Sequence, residues 1–261
     1  MLEERKQKEI EYYDQHADDE LRLNLAELRQ ADFEGFKPLK LDSFQFCYQW
    51  LKKNCWEKKL LDYGCGNGIH SIFPAKNGAA VTAIDLSEKS LMIARRRAIA
   101  EKVENKTKFL KMDCEALEFN DNSFDIVFDG GTFSSLDLSR ALPEIARVLK
   151  PEGTLLDIET FGHNPLTNLK RQFNRFVGKR TSWAASHIFN LKDLASLEHY
   201  FRQVEVHYFH IVSWLAIPFL NLPGGQILLK SLQWVDQILF KVPFWRYYAF
   251  KVVFVAVNPK K

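Results

Sequence analysis

The sequence predicts a doubly wound α/β fold, and three observations carry that reading. Leu60-Leu61-Asp62-Tyr63-Gly64-Cys65-Gly66-Asn67-Gly68 is an apolar run that ends in an acid and then breaks into alternate glycines. Val81-Thr82-Ala83-Ile84-Asp85-Leu86 is a second apolar run ending in an acid, about twenty residues beyond the glycines. Strand-like and helix-like segments then alternate, as a parallel sheet with crossover helices requires. In chain order, strands are expected at about residues 59–63, 81–85, 108–112, 124–129, 153–159, 203–211 and 250–257.

The helices follow from periodicity and end signals. Residues 1–30 are charged and helix-forming, with Leu21, Leu25 and Leu28 at helical spacing. Phe44 to Leu51 reads as a helix leading into the first strand. Gly68 opens a helix through Ala75 that Pro74 should truncate or kink. Ser87 is the expected N-cap of a helix over Glu88 to Ala100, with Ser90 as the alternative cap.

Glycines after a strand let the backbone turn tightly beside a ligand, and the next helix offers free N–H groups. Asp85 is placed to accept hydrogen bonds from a ribose hydroxyl pair. Asp62 separates the candidate cofactors: beside the loop its carboxylate would repel a pyrophosphate, yet it can pair with the α-ammonium of a methionine moiety. Gly64, Gly66 and Gly68 also depart from the G-x-G-x-x-G dinucleotide spacing, which leaves a dinucleotide oxidoreductase as a distant alternative.

At these residues the chain resembles the class I S-adenosylmethionine-dependent methyltransferases of small molecules, and is similar to those of ubiquinone and menaquinone biosynthesis. Three later segments agree in order: Lys108 to Cys114, Asn122 to Gly131, and Leu142 to Leu156 with its Pro151-Glu152-Gly153 turn. The likeness covers roughly residues 58–160. It implies a Rossmann-like methyltransferase sheet of seven strands, mostly parallel, with the last strand antiparallel between the fifth and sixth. It also implies S-adenosyl-L-methionine contacts from Tyr13, Asp62, Gly64, Cys65, Gly66, Gly68, Asp85, Leu86, Ser87, Asp113, Cys114, Asp129 and Gly130. Asp113 would meet the adenine amino group, the Cys114 amide would lie near the ring, and the fourth strand would end beside the sulfonium. Tyr12-Tyr13-Asp14 is similar to a segment that closes over the cofactor; the alternative is an aromatic pinning the N-terminal helix to the body.

Against this pattern the chain carries two insertions, so four parts are expected: an N-terminal helical cap (1–57), the cofactor-binding core (58–160), a basic amphipathic cap (161–202), and the last two strands (203–261) with an apolar helical insertion at 212–249. Between Phe161 and Lys192 there is no acid, but Lys170, Arg171, Arg175, Lys179, Arg180 and Lys192 are present beside an apolar stripe of Leu166, Leu169, Phe173, Phe176 and Val177. Such a helix can lie on an anionic bilayer, cap an active site or simply cover the core. Of the 38 residues from Val212 to Ala249, 23 are apolar or aromatic and four are charged. Leu228, Leu232, Val235, Leu239 and Val242 form one expected stripe, opposite Lys230, Gln233, Gln237 and Lys241. Pro218, Pro223 and Pro243 divide the insertion and argue against a membrane span.

Composition narrows the setting. The chain has 261 residues and a formal net charge of +3, too mild to argue for nucleic acid. Cys47, Cys55, Cys65 and Cys114 make no C-x-x-C pair, so free thiols in a reducing cytoplasm are expected. The polar N-terminus lacks a secretory signal, and no apolar run reaches the roughly 18 residues of a transmembrane helix. The expected location is cytoplasmic, with peripheral contact at the inner membrane face.

Methyl transfer from a sulfonium needs mainly alignment, and a base only when the acceptor must lose a proton. Candidates at the ends of the fourth and fifth strands are Asp129, Glu159 and His163, with His187 in the insertion; His70 is expected to pack near the cofactor. No His/Cys/Asp cluster has metal-ligand spacing, so no metal is expected. The fourth strand ends Asp129-Gly130-Gly131-Thr132-Phe133, unlike the Asn/Asp-Pro-Pro-aromatic sequence used on exocyclic base amines. The expected acceptor is a lipophilic or amphipathic small molecule. The alternatives are a sugar or secondary metabolite, with the apolar insertion buried in a homodimer, and a non-catalytic cofactor-binding partner subunit.

Overall fold

The computed structural model describes residues 2–30, 41–165, 167–169, 172 and 182–261. Seven strands form one sheet in the order β3-β2-β1-β4-β5-β7-β6. They are β1 (Lys59–Tyr63), β2 (Ala80–Asp85), β3 (Thr107–Lys111), β4 (Phe124–Asp129), β5 (Leu149–Thr160), β6 (Phe201–Phe209) and β7 (Lys251–Pro259). The first five are parallel, while β7 pairs antiparallel with both β5 and β6. This is the sheet that the resemblance implied.

Alternation along the strands sends side chains into two apolar layers, which is what makes the sheet doubly wound. Leu60, Ile126, Phe128, Leu156, Ile158 and Val253 face one layer, covered by α3 (Asp42–Asn54), α4 (Ile69–Lys76) and α5 (Glu88–Ala100). Leu61, Tyr63, Val127, Leu155, Val252 and Phe254 face the other, covered by α6 (Leu138–Val148) and α8 (Leu191–Tyr200). A short helix, α7 (Ser182–Ser186), precedes α8. Ser87 caps α5 as expected, its hydroxyl accepting the Ser90 amide at 3.0 Å, and α4 ends two residues beyond Pro74.

Three expectations need correction. The N-terminal segment is two helices, α1 (Leu2–Leu21) and α2 (Leu25–Gln30), so the Leu21–Leu25–Leu28 spacing spans a break. Asn24 makes that break. Its side-chain oxygen accepts the Ala26 and Glu27 amides at 2.9 and 3.0 Å, which starts a new helix. The Arg96 guanidinium holds the carbonyls of Leu21 and Leu23. Second, β5 starts at Leu149, four residues before the expected strand, because a register shift lets Phe124 pair with Leu149 and Ile126 with Thr154 across the Pro-Gly turn.

Third, the packed face of the insertion's apolar helix, α9 (Gly225–Leu239), overlaps the expected stripe only in part: Leu232, Val235 and Leu239 are half-buried, but the fully buried positions lie to one side of them. Its buried face is Gly225, Leu229 and Asp236. Leu229, with Leu232 beside it, meets Leu41, Ala216 and Leu220. Asp236 accepts the amides of Val212 at 2.8 Å and Ser213 at 3.3 Å. Leu228 is exposed, and Val242 lies beyond the helix and is exposed too. The insertion closes at its base, where the Asn164 side-chain amide donates to the carbonyls of Ile211 (3.3 Å) and Tyr248 (2.8 Å). Since β7 begins opposite the end of β5, the insertion emerges at the edge where the parallel strands end. Of the basic stretch after β5, Leu166, Lys170, Arg171, Phe173, Arg175, Phe176, Val177, Lys179 and Arg180 lie outside the described residues.

Candidate active site

A cleft of about 660 Å³, its open mouth included, lies at the ends of the first three strands and under α1. Ligands of doubly wound sheets bind outside the carboxyl ends of the strands, where the order reverses. The glycine turn forms its floor. Gly64, Gly66 and Gly68 have φ of +67°, +51° and +77°, a left-handed conformation that favours glycine. A Cβ on Gly66 would meet nothing within 4 Å, so the backbone there is open to a ligand. The Gly68 position is closed instead: a Cβ would fall 2.6 Å from that of Ala94, which lets α5 sit against the turn.

Asp85 ties the turn to the second strand. Its carboxylate accepts the Gly66 amide at 2.8 Å and the Ser87 amide at 2.9 Å. Burial pushes its pKa up, and these amides oppose the shift. Further round the cleft, Asp113 accepts the Glu115 amide at 2.9 Å, and the Cys114 carbonyl accepts the Tyr63 hydroxyl at 2.5 Å.

The helix α1 roofs the cleft through charged and polar contacts that bridge long stretches of chain. Arg5 pairs with buried Glu115, Lys6 with Asp113 and, at 3.0 Å, with Glu115. Asp14 accepts the Ser87 hydroxyl at 2.5 Å. Arg5 also lies 4.8 Å from the Trp183 ring centroid, joining the roof to α7.

Of the residues expected at the cofactor, Tyr13, Gly64, Gly66, Asp85, Leu86, Ser87, Asp113 and Cys114 line this cleft. Asp62, Cys65, Gly68, Asp129 and Gly130 are not among the lining residues. Asp62 is fully buried and accepts the Ser71 hydroxyl; burial raises its pKa to about 7, with Asp129 and Asp85 adding to the shift. Gly130 lies against His70, whose ring is bonded to Tyr48 at 2.8 Å and whose pKa burial lowers to about 4. Sequence reasoning missed Arg5, Lys6, Glu9, Ile10, Glu115, Thr132, Ser135 and Leu136. The one local signal was the acid at 115, directly after Asp113-Cys114.

The base candidates separate. Glu159 is buried and both its oxygens are taken, by the amides of Phe133 (2.7 Å) and Thr160 (3.0 Å). Burial and the neighbouring Asp129 raise its pKa to about 7. Asp129 and Asp157 are register partners on β4 and β5, and with Glu159 their carboxylate oxygens lie within 4.8 Å of one another. Linear spacing cannot show a trio assembled across two strands. Burial, with the neighbouring Asp129 and Glu159 carboxylates, pushes the Asp157 carboxyl well above the usual carboxylate range and so favours its protonated form. A protonated group of that kind costs stability increasingly as pH rises above its unfolded pKa, because only the unfolded chain releases the proton. Asp157→Asn is therefore expected to raise the melting temperature at pH 8, with the gain shrinking towards pH 5. A gain independent of pH would show that Asp157 is ionised in the fold.

His163 accepts the Leu191 amide at its Nε2 (3.2 Å), and its ring packs 4.1 Å from that of Tyr247. That bond leaves Nδ1 as the protonated nitrogen, and burial lowers the pKa. His187 stacks on Trp183 at 3.6 Å and borders a second hollow, of about 840 Å³ with its mouth. Leu136 lines both this hollow and the cofactor cleft. The Nδ1 of His187 lies 3.0 Å from both the Trp183 carbonyl and the Ser186 hydroxyl, and that hydroxyl donates to the same carbonyl at 2.9 Å; the tautomer with a proton on Nδ1 suits both oxygens and has its lone pair on Nε2.

A seven-stranded Rossmann-like sheet with a glycine turn after its first strand, and acids at or just beyond the ends of the next two lining one cleft, is the architecture of the class I methyltransferases. Residues 61–157 match the family described as methyltransferase domain. A demethylmenaquinone methyltransferase of Clavibacter sepedonicus is 32% identical over 46% of this chain and 48% of its own. A ubiquinone biosynthesis O-methyltransferase of Alkalilimnicola ehrlichii is 31% identical over 51% of each chain. The chain thus spans about half the length of these curated relatives. Among solved structures, the geranyl diphosphate C-methyltransferase of Streptomyces coelicolor shares the fold, with a TM-score of 0.59, 15% identity and coverage of 82% of this chain and 79% of that one.

S-adenosylmethionine, which this class uses, fits the cleft. The open side of Gly66 admits a ligand to the backbone, Asp85 faces it from the second strand, and the Cys114 segment and Tyr13 wall it.

Proposed function

We propose that the protein transfers a methyl group from S-adenosylmethionine to a lipophilic or amphipathic small molecule at a membrane surface. The observation that carries the methyl-donor half is the convergence of Gly66, Asp85 and Asp113 on one cleft roofed by α1. The apolar insertion, which rises at the same sheet edge and leaves Phe219, Trp234 and Phe244 exposed, supports the acceptor half. When bound, the donor supplies an electrophilic methyl on a sulfonium. Gly64 and Gly66 hold the turn open, Asp85 accepts from a ribose, and Asp113 accepts from the adenine amino group. In this reading the Asp62 charge also favours the donor's α-ammonium. The second hollow receives the acceptor, and His187 Nε2 takes its proton where one must leave. Incubation with S-adenosylmethionine and a demethylated quinone-like acceptor should release S-adenosylhomocysteine. Release with polar sugars alone would overturn the acceptor half, and donor binding without release for any acceptor would point to a non-catalytic partner.

Two outcomes follow within this reading. His187→Gln is expected to lower kcat about a hundredfold with the donor KM unchanged; an unchanged kcat would remove His187 from proton transfer. With a pKa of about 7 in the free protein, Asp62 carries its charge only above that pH. Donor affinity should therefore strengthen as pH rises through 7, and Asp62→Asn should flatten that profile in calorimetry.

A further inference from the structure

We propose that the outer face of α9, with the turn at Pro243–Tyr248, is a docking surface for an anionic lipid bilayer. The inference rests on the membrane reading above and assigns it to particular residues. Eleven of the eighteen large apolar side chains exposed among the described residues lie between Leu215 and Tyr247. Ile227, Trp234 and Ile238 stand at i, i+7 and i+11, one stripe of the helix, and Ile227 and Trp234 are 72% and 63% exposed. This stripe is diametrically opposite the packed face of Leu229 and Asp236, so the helix is apolar on its wet side as well as its buried one. A water-facing stripe of that kind, extended by Phe244 at 63% exposure, marks an interaction site.

Charge decides what covers it. Lys230, Lys241 and Arg246 are exposed, and the one acid of the insertion, Asp236, is turned inward onto the Val212 and Ser213 amides. Every charge the insertion presents to solvent is therefore positive. A second copy of the chain, meeting this face across a twofold axis, would bring cations against cations. An anionic lipid surface is complementary, and exposed Trp and Phe between lysines suit the headgroup–acyl boundary. Because the insertion rises where the parallel strands end, docking would bring that edge of the sheet, and the cleft on it, towards the bilayer.

Flotation of the full chain tests this, using vesicles of phosphatidylcholine with and without phosphatidylglycerol. The protein is expected to float only with the anionic vesicles, with a blue shift of tryptophan emission. Trp234→Ser combined with Ile238→Ser should lower partitioning about tenfold or more. Lys230→Glu with Lys241→Glu should abolish the preference for anionic lipid. Melting temperature and S-adenosylmethionine affinity, measured without vesicles, should be unchanged in both variants. Failure of the native chain to float, or equal flotation of the variants, overturns the proposal. So does a native dimer that the Trp234→Ser, Ile238→Ser pair converts to monomer, since a second copy would then cover the face. Flotation by a chain that releases no S-adenosylhomocysteine would sink the catalytic reading and leave the docking surface standing, and release without flotation would do the reverse.

Discussion

Asp85→Ala should weaken S-adenosylmethionine binding about a hundredfold by calorimetry. The Asp85 carboxylate holds the Gly66 amide at 2.8 Å and the Ser87 amide at 2.9 Å while facing the cleft. In the proposed reading, removing it strips an acceptor from the ribose, and it leaves two amides at the turn without their partner. A hydrogen bond to a charged group is worth about 1.5–3 kcal/mol, so one ribose bond with some loss of turn geometry reaches about 3 kcal/mol. Asp85→Asn keeps one acceptor oxygen and should fall between the two. An alanine variant that folds and binds the donor normally would place the ribose elsewhere.

Gly68→Ala is expected to destabilise the fold by about 3 kcal/mol, read as a lower melting temperature in the absence of any ligand. Two costs combine. The φ of +77° is strained for any residue with a Cβ, by about 1–2 kcal/mol. The new methyl would also stand 2.6 Å from the Ala94 Cβ and 3.0 Å from its Cα, and the backbone of α5 must retreat. Gly66→Ala is the internal comparison, because its Cβ would meet nothing within 4 Å. That variant should melt closer to the native protein while losing donor affinity. If the two behave alike, the division of the turn into a packing glycine and a ligand glycine is wrong.

The sheet and the cofactor side of the cleft were legible because their signals are local. Strands β1, β2 and β4 are short, largely apolar runs, and Gly64, Gly66 and Asp85 follow directly from where the first two end. The roof was not legible. Arg5 reaches Glu115 across 110 residues and Lys6 reaches Asp113 across 107, and no spacing rule connects positions so far apart. The acidic trio was hidden for a similar reason: Asp129 and Asp157 are neighbours only through the β4–β5 register. The packed side of α9 escaped because periodicity assumes one greasy face and one wet face. That helix has apolar residues on both, and its inward side includes an acid, Asp236, recruited to cap two amides. Here the hydrogen-bonding needs of the Val212–Ser213 backbone outweighed the burial of one more leucine.

The clasp at Asn164 has a consequence for how such a chain can change over generations. One amide group grips both ends of a 38-residue excursion, and the Phe250 amide, bonded to the carbonyls of Phe209 and His210, seals the stem beneath it. Beyond this stem the excursion meets the body at few places, among them Phe240 against the core and α9 against Leu41 and Asp42. An accessory gripped in this manner can be lengthened, trimmed or exchanged for another while the sheet stays in register, so the surface above the cleft can be remade without rebuilding what lies beneath.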